Sequence, residues 1–132
     1  MSDDLRSRIK EIIETEDVVL FMKGTPQWAM CGNSMRALEA LRAAEAPIAA
    51  VDILPNPDYR KELSALSGWP TIPQVFVKGE LIGGADIVQE LQESGELEET
   101  LRERLGEGYR APGSEPRVVE LVEGGSAFRF AR

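Results

Sequence analysis

A run of five consecutive apolar residues, Val18-Val19-Leu20-Phe21-Met22, constrains the fold of this chain more than any other feature of its sequence. Strand-forming residues make up the run and no polar residue interrupts it, which is the pattern of a strand that is buried on both faces. A strand of this kind needs a covering layer on each side of its sheet. The run therefore predicts an internal strand in a sheet that is covered by helices.

The segments around this run alternate between helical and extended patterns. Residues 3–15 carry apolar side chains at helical spacing, and residues 34–46 are rich in helix formers, with Pro47 following as a stop signal. A second strand is predicted over 48–53 and a further helix over 58–66.

The second half of this pattern completes the fold class. We predict a strand over 74–77, a turn, a short strand at 81–82, and a helical stretch over 85–105 that is interrupted near Gly95. Strands that first alternate with helices and then form a hairpin indicate an α/β fold with a mixed four-stranded sheet flanked by helices. The order of these elements, βαβαββα, is that of a thioredoxin-like fold.

The domain organisation follows from length and from a change in composition. A chain of 132 residues suffices for one compact domain with its own core. We place that domain in residues 1–105. Residues 106–132 form a C-terminal extension, which begins with the Gly- and Pro-bearing linker GEGYRAPGSEP.

The end of this extension has the pattern of a β-hairpin. A turn at Gly124-Gly125 would place Leu121 opposite Phe128 on one face of the hairpin. Because an isolated hairpin is marginal in water, its apolar face should pack on the main domain, on a second chain or on another partner. The alternative is a tail without fixed structure.

The overall charge argues against nucleic-acid binding, and hydropathy argues against a membrane protein. The net charge is −8 and Lys and Arg are not clustered, whereas binding to a phosphate backbone needs such clusters. No window of the sequence approaches the roughly 20 apolar residues of a membrane span. The opening MSDDLRSRIK also lacks the pattern of a secretory signal. We expect neither a nucleic-acid nor a membrane partner.

Cysteine and histidine usage directs attention to one residue. With a single cysteine the chain cannot form an internal disulfide, which is typical of a reducing compartment, and we expect a cytoplasmic protein. The absence of histidine removes the commonest general base and metal ligand. The chemistry must therefore use other groups, and Cys31 is the candidate.

Cys31 lies between a loop and the predicted start of a helix. Backbone N–H groups and the helix dipole favour a thiolate at such a position. Ser34 stands where a Cys-x-x-Cys pair would have its second cysteine, so one-thiol chemistry is open and dithiol chemistry is not. The alternative interpretation is that Cys31 is a small buried apolar residue, as free cysteines often are.

Two further segments have patterns that suit a ligand. The Ile72-Pro73 bond could be cis and expose the backbone of Ile72 to an extended peptide, although an ordinary trans proline at a strand start is the commoner case. The Gly83-Gly84-Ala85-Asp86 segment could let a ligand approach a helix start, with Asp86 facing an amine. Its glycines and its acidic residue also suit a turn and a helix N-terminus without any ligand.

Together these segments carry a resemblance to a known family. They occur in the order Lys23-Gly24-Thr25-Pro26, Cys31-Gly32-Asn33-Ser34, Trp69-Pro70-Thr71-Ile72-Pro73-Gln74 and Gly83-Gly84-Ala85-Asp86-Ile87-Val88. Over roughly residues 5–105 the chain resembles the monothiol glutaredoxins of the CGFS type, here with the variant motif CGNS. The resemblance implies that Cys31 is the catalytic thiol and a metal ligand, and that Pro73 is cis.

The resemblance also implies a groove for glutathione. The residues it assigns to this groove are Lys23, Arg60, Thr71, Ile72, Pro73, Gly84, Ala85 and Asp86. Lys23 would face a carboxylate of glutathione and stabilise the thiolate, and Arg60 would pair with the glycine carboxylate. Ile72 would offer its backbone to the cysteinyl unit, while Ala85 and Asp86 would hold the γ-glutamyl end. Without the resemblance, Lys23 and Arg60 would be interpreted as solvated surface charges.

The implied cargo is a [2Fe–2S] cluster. Such a cluster usually takes four thiolate ligands, of which this chain supplies one. The resemblance implies a homodimer bridged by the cluster, in which two glutathione molecules supply the remaining ligands, with apo iron–sulfur proteins as recipients and a BolA-like protein as a partner. Two other functions stay open: a glutathione-dependent thiol–disulfide oxidoreductase that uses Cys31, and an interaction module built on the extension.

Three positions depart from the family pattern. Asn33 replaces a phenylalanine beside the cysteine, Ala29 stands where the family usually has proline, and Ser64 replaces a frequent lysine at the groove rim. We expect these changes to make the loop more mobile and more polar, and so to weaken retention of a cluster.

Overall fold

The computed structural model describes residues 2–121. Its helices are α1 (Ser2–Thr15), α2 (Gly32–Ala43), α3 (Pro57–Ser67), α4 (Ala85–Ser94) and α5 (Glu96–Leu105). Its strands are β1 (Val18–Met22), β2 (Gly24–Thr25), β3 (Trp28–Ala29), β4 (Ile48–Asp52), β5 (Gln74–Val77), β6 (Glu80–Gly83) and β7 (Arg117–Val118). The predicted turn at Gly124-Gly125 and the second arm of the C-terminal hairpin lie outside the described residues.

The main sheet has the predicted mixed topology. Its strand order is β6-β5-β1-β4-β7, with β1 parallel to β4 and antiparallel to β5. Every residue of β1 is buried, so the prediction from the apolar run is confirmed. The four predicted strands form a thioredoxin-like sheet, and β7 adds a further strand that pairs in parallel with β4.

The side chains of β1 alternate between two apolar clusters, one on each face of the sheet. Leu20 lies in a cluster with residues of α2, α4 and α5, and Phe21 lies in a cluster with residues of α1 and α3. Phe21 meets Phe76 edge to face, with ring centroids 5.7 Å apart and an interplanar angle of 84°. This is the two-layer cover that a fully apolar strand requires.

Local signals set the helix ends. The Asn56 side chain accepts a hydrogen bond from the Asp58 N–H at 2.9 Å and caps α3. Gly95, in the left-handed region at φ 86°, ends α4 where the interruption is predicted. Helix α2 ends at Ala43, before Pro47, so the predicted helix exists but stops earlier than the proline suggests.

A small hairpin precedes Cys31 where the sequence predicts only a loop. Strands β2 and β3 pair antiparallel, with Gly24 opposite Ala29. Gly24 has φ 95°, and a Cβ at this position would overlap the carbonyl oxygen of Trp28. Only glycine fits this strand position without strain. The hairpin gives a defined conformation to the segment that leads to the thiol.

The described part of the extension, residues 106–121, packs against both faces of the sheet. Tyr109 is buried in the cluster that contains Leu20, and its hydroxyl donates to the Ala44 carbonyl at 2.9 Å. Leu121 is buried in the cluster that contains Phe21. The division of the chain at residue 105 stays a prediction. Within residues 2–121, no helix is both long enough and apolar enough to cross a membrane.

Candidate functional site

Cys31 is the N-cap residue of α2 and is partly exposed. Its backbone is extended, with φ −154° and ψ 136°, and the helix begins at the next residue. The interpretation of Cys31 as a sealed core residue is therefore wrong. The side chain lies at the positive end of a helix, where a thiolate is favoured.

The surroundings of Cys31 lower the pKa of its thiol. The backbone N–H of Ser34 is the largest cause, and it is opposed by partial burial, which raises the pKa. The N–H of Asn33, the charge of Lys23 and the hydroxyl of Ser34 lower it further. A larger fraction of Cys31 is therefore ionised near neutral pH than in an ordinary cysteine.

Ser34 connects the helix to the loop before it. The side chain is buried, and its Oγ accepts a hydrogen bond from the Lys23 N–H at 3.0 Å. The Lys23 carbonyl accepts from the Met30 N–H at 2.9 Å. From the sequence, Ser34 is only the residue at the position of a second cysteine. Its part in holding the thiol loop depends on a contact between segments that no local pattern shows.

A groove of about 380 Å³ opens beside the start of α2. The predicted site residues that line it are Thr71, Ile72, Pro73, Gly84, Ala85 and Asp86. The other lining residues are Asn33, Trp69 and Ile87. The Ile72-Pro73 bond is cis, as the resemblance implies. Segments far apart in the sequence thus meet along one groove.

The groove wall before β5 is held by Gln74, which is fully buried. Its Nε2 donates to the carbonyls of Trp69 at 2.9 Å and Thr71 at 3.2 Å. The backbone of Ile72 is absent from the hydrogen bonds formed within residues 2–121. Its N–H and C=O groups can therefore pair with an extended peptide without breaking an existing bond.

Gly84 has a packing role at the same place. A Cβ on Gly84 would lie 3.2 Å from the Trp69 Nε1 and 3.3 Å from the Pro73 carbonyl oxygen. These distances leave little room for a side chain. The glycine therefore lets the start of α4 approach the cis-proline segment, and this close approach forms the narrow side of the groove.

The two predicted cations lie at the margins of the site. Arg60, on α3, is exposed, and its Nη2 donates to the Pro70 carbonyl at 3.2 Å, next to the groove residue Thr71. Lys23 is partly exposed and close enough to Cys31 to lower the pKa of the thiol. Lys23, Arg60 and Cys31 are not among the residues that line the groove, although Asn33, two residues after the thiol, is one of them.

The groove-lining residue Asp86 is paired with Arg36, a residue that the sequence analysis missed. Arg36 Nη2 lies 2.7 Å from Asp86 Oδ1, and Nη1 donates to Asn33 Oδ1 at 2.9 Å. Arg36 Nε donates to Gln89 Oε1 at 2.9 Å. Asp86 was expected to face an amine, whereas here it faces a guanidinium. Arg36 is 50 residues from Asp86, so no local spacing could reveal the pair.

The side chains available as metal ligands limit which metal sites one chain can form. Among residues 2–121 there is no group of three or more His, Cys, Asp or Glu side chains that could hold a metal ion. The chain has a single cysteine, whereas an iron–sulfur cluster usually takes four thiolates. One chain therefore needs thiols from outside itself to hold a cluster.

The comparisons with known proteins agree with this geometry. The glutaredoxin family model matches residues 18–82. The chain is 48% identical over 96 residues to glutaredoxin 4 of Haemophilus ducreyi, which covers 73% of this chain and 90% of that protein. It is 53% identical over 87 residues to a probable monothiol glutaredoxin, GrlA, of Legionella pneumophila, covering 66% and 98% respectively.

A solved structure extends the agreement to three dimensions. Reduced apo GrxS14 from poplar superimposes with a TM-score of 0.68 at 39% sequence identity, covering 76% of this chain and 93% of the poplar chain. The sequence identity and the shared fold span almost the whole length of these relatives. The chain therefore belongs to the glutaredoxin family, in the monothiol branch that includes glutaredoxin 4.

Proposed function

We propose that this protein binds glutathione in the groove at the start of α2 and carries [2Fe–2S] clusters for iron–sulfur protein biogenesis. The observation that carries the proposal is the partly exposed thiol of Cys31, which has a lowered pKa and lies at the start of α2. Iron is bound by the thiolate, so a thiol with a lowered pKa is suited to ligation.

The groove offers suitable chemistry for glutathione, which is a peptide with a carboxylate at each end. The Ile72 backbone can pair with the cysteinyl unit, and the Arg60 guanidinium, which donates to the Pro70 carbonyl next to the groove residue Thr71, would take the glycine carboxylate. At the opposite end, the first N–H groups of α4, at Ala85 and Asp86, suit the γ-glutamyl carboxylate.

The ligand count leads to a dimer. Two chains give two Cys31 thiolates, and two glutathione molecules in their grooves give two more, which completes the four thiolates that a [2Fe–2S] cluster usually takes. We infer a homodimer bridged by the cluster, with apo iron–sulfur proteins as recipients and a BolA-like protein as a regulatory partner. The single cysteine and the acidic composition suit action in the cytoplasm.

The lowered thiol pKa also favours a second function, glutathione-dependent thiol–disulfide exchange. In this reaction the Cys31 thiolate attacks the glutathione sulfur of a glutathionylated protein, and the protein leaves as its thiolate. A second glutathione thiolate then attacks the mixed disulfide on Cys31. Glutathione disulfide forms, and the Cys31 thiolate is released.

Anaerobic reconstitution distinguishes the two functions. The protein is incubated with iron, sulfide, a cysteine desulfurase and glutathione, and its absorption spectrum and molecular mass are measured. We expect visible cluster absorption together with a dimer. Cys31→Ser should abolish both, because serine does not replace the thiolate ligand.

The matched control is the same reconstitution without glutathione. Two Cys31 thiolates alone leave the cluster short of ligands, so neither a stable cluster nor a dimer should form. A colourless monomer in the complete mixture, with rapid turnover of a glutathionylated peptide, would favour the oxidoreductase. A cluster that forms equally well with Cys31→Ser would overturn the proposed site.

A further inference from the structure

The contacts of Arg36 place a positive charge next to residues that line the groove. Its guanidinium bridges α2 and α4, donating to Asn33, Asp86 and Gln89. Asn33 and Asp86 are groove-lining residues. The side chain of Arg36 is 39% exposed and that of Asp86 is 83% exposed, so solvent and a ligand can reach both charges. An adjacent cation and anion therefore lie at this part of the groove wall.

This ion pair retains capacity for further hydrogen bonds. A guanidinium has five N–H donors, and Nη1 of Arg36 uses one of its two in the bond to Asn33. Asp86 contacts Arg36 through Oδ1. Because an exposed ion pair contributes little to stability, a ligand can rearrange it at low cost.

A free α-amino acid group has the complementary chemistry, since it carries an ammonium and a carboxylate on one carbon. We propose that Arg36 is a binding residue for the α-carboxylate of a γ-glutamyl peptide, while Asp86 holds the α-ammonium of the same group. The inference rests on the proposed function, because it takes glutathione as the peptide in the groove. It adds a side-chain cation to an end of the groove where only backbone N–H groups and Asp86 were expected to act.

The position of Arg36 on α2 connects binding of the γ-glutamyl group to the thiol of Cys31. Arg36 lies on α2, the helix whose first residue follows Cys31, and Asn33 connects the guanidinium to the first turn of that helix. A ligand that engages Arg36 is therefore aligned relative to the sulfur by a single rigid element. The asparagine of the variant motif CGNS supports Arg36 in this arrangement.

The test compares Arg36→Gln with the wild-type protein for two ligands. The first is glutathione, and the second is glutathione with its α-carboxylate converted to an amide. Binding is measured by calorimetry and by the equilibrium constant for the mixed disulfide with Cys31. We expect Arg36→Gln to weaken glutathione about fivefold, the size of an exposed charge pair. The amide should bind the wild type and the variant alike.

Arg42→Gln is the matched control, because Arg42 is an exposed arginine in the last turn of the same helix. It removes the same charge without touching the groove, so the affinity for glutathione should stay at the wild-type value. Circular dichroism of both variants verifies that α2 is intact.

Two results would overturn the inference. Tighter binding of glutathione by Arg36→Gln would mean that Arg36 masks Asp86 instead of binding the carboxylate. An equal loss for glutathione and for its amide would mean that Arg36 only supports the groove. Failure of the wild-type protein to bind glutathione at all would instead contradict the proposed function, so the two failures are distinguishable.

Discussion

The groove and the extension lie on different parts of the same sheet and use their side chains in opposite ways. In the extension, Tyr109 and Leu121 are buried in the two apolar clusters. Near the thiol, Trp28 is 74% exposed and Met30 is 61% exposed. Buried apolar area contributes to the free energy of unfolding, whereas exposed and charged groups contribute little to it. We therefore expect the extension to determine stability and the groove to determine chemistry.

Truncation after Leu105 should have the largest effect on the free energy of unfolding, and so tests whether the extension determines stability. It removes the buried side chains of Tyr109 and Leu121 and the pairing of β7 with β4. We expect the free energy of unfolding to fall by about 5 kcal/mol. Urea denaturation of the two proteins measures the change. A truncated protein of unchanged stability would show that residues 106–121 belong to a separate unit, and would support the division at residue 105.

Tyr109→Ala should reproduce a large part of that loss. The substitution leaves a cavity in the apolar cluster and removes the hydrogen bond to the Ala44 carbonyl. We expect a loss of about 3 kcal/mol in the free energy of unfolding, and about 1 kcal/mol for the control Tyr109→Phe, which keeps the ring. Alkylation of Cys31 should proceed at the wild-type rate in both variants. A change in that rate would contradict the expectation that the extension affects stability without affecting the chemistry of the thiol.

Gly24→Ala tests whether the backbone conformation of the β2–β3 hairpin affects the reactivity of Cys31. Alanine is strained at φ 95°, and its Cβ would overlap the Trp28 carbonyl oxygen. We expect a loss of about 2 kcal/mol in stability together with altered reactivity of Cys31, because the β2–β3 hairpin precedes the thiol. Gly113→Ala is the control: Gly113 also has positive φ, at 74°, but nothing lies near its Cβ. Only the first variant should change the alkylation rate.

Ser34→Ala should distinguish the effect of the Ser34 hydroxyl on the Cys31 pKa from the effect of the Ser34 backbone N–H. The variant keeps the N–H that is the largest cause of the lowered Cys31 pKa and loses the hydroxyl, which also lowers it. The Lys23 N–H loses its acceptor, at a cost of about 1 kcal/mol in stability. We expect the pH profile of iodoacetamide alkylation to move to higher pH, since less thiolate is present at each pH. Ser7→Ala, on the exposed face of α1, should leave the profile unchanged.

Lys23→Gln should have the smallest effect, and it should act on the thiol alone. The charge of Lys23 lowers the Cys31 pKa less than the backbone N–H of Ser34 does. Its removal should raise the pKa, so the alkylation profile again moves to higher pH while the unfolding midpoint in urea stays within error. Lys10→Gln, an exposed residue of α1, is the charge-matched control. A shift to lower pH would contradict the assigned sign.

Much of the fold could be predicted because its signals are local. The apolar run of β1 and the break at Gly95 are read from neighbouring residues, and the structure has both features where the sequence predicts them. The same holds for Cys31 at the start of a helix. The β2–β3 hairpin was missed, because its strands are two residues long and show no alternation.

By itself, the sequence determined the order of the elements, the buried central strand and the position of the single thiol. Only the tertiary structure decided that Arg36 pairs with Asp86, that Ser34 anchors the Lys23 backbone, and that Tyr109 completes a core cluster. The physical reason is the distance along the sequence between the residues that interact. Periodicity and capping depend on residues a few positions apart, whereas these contacts join segments whose approach depends on how the whole sheet and its helices pack.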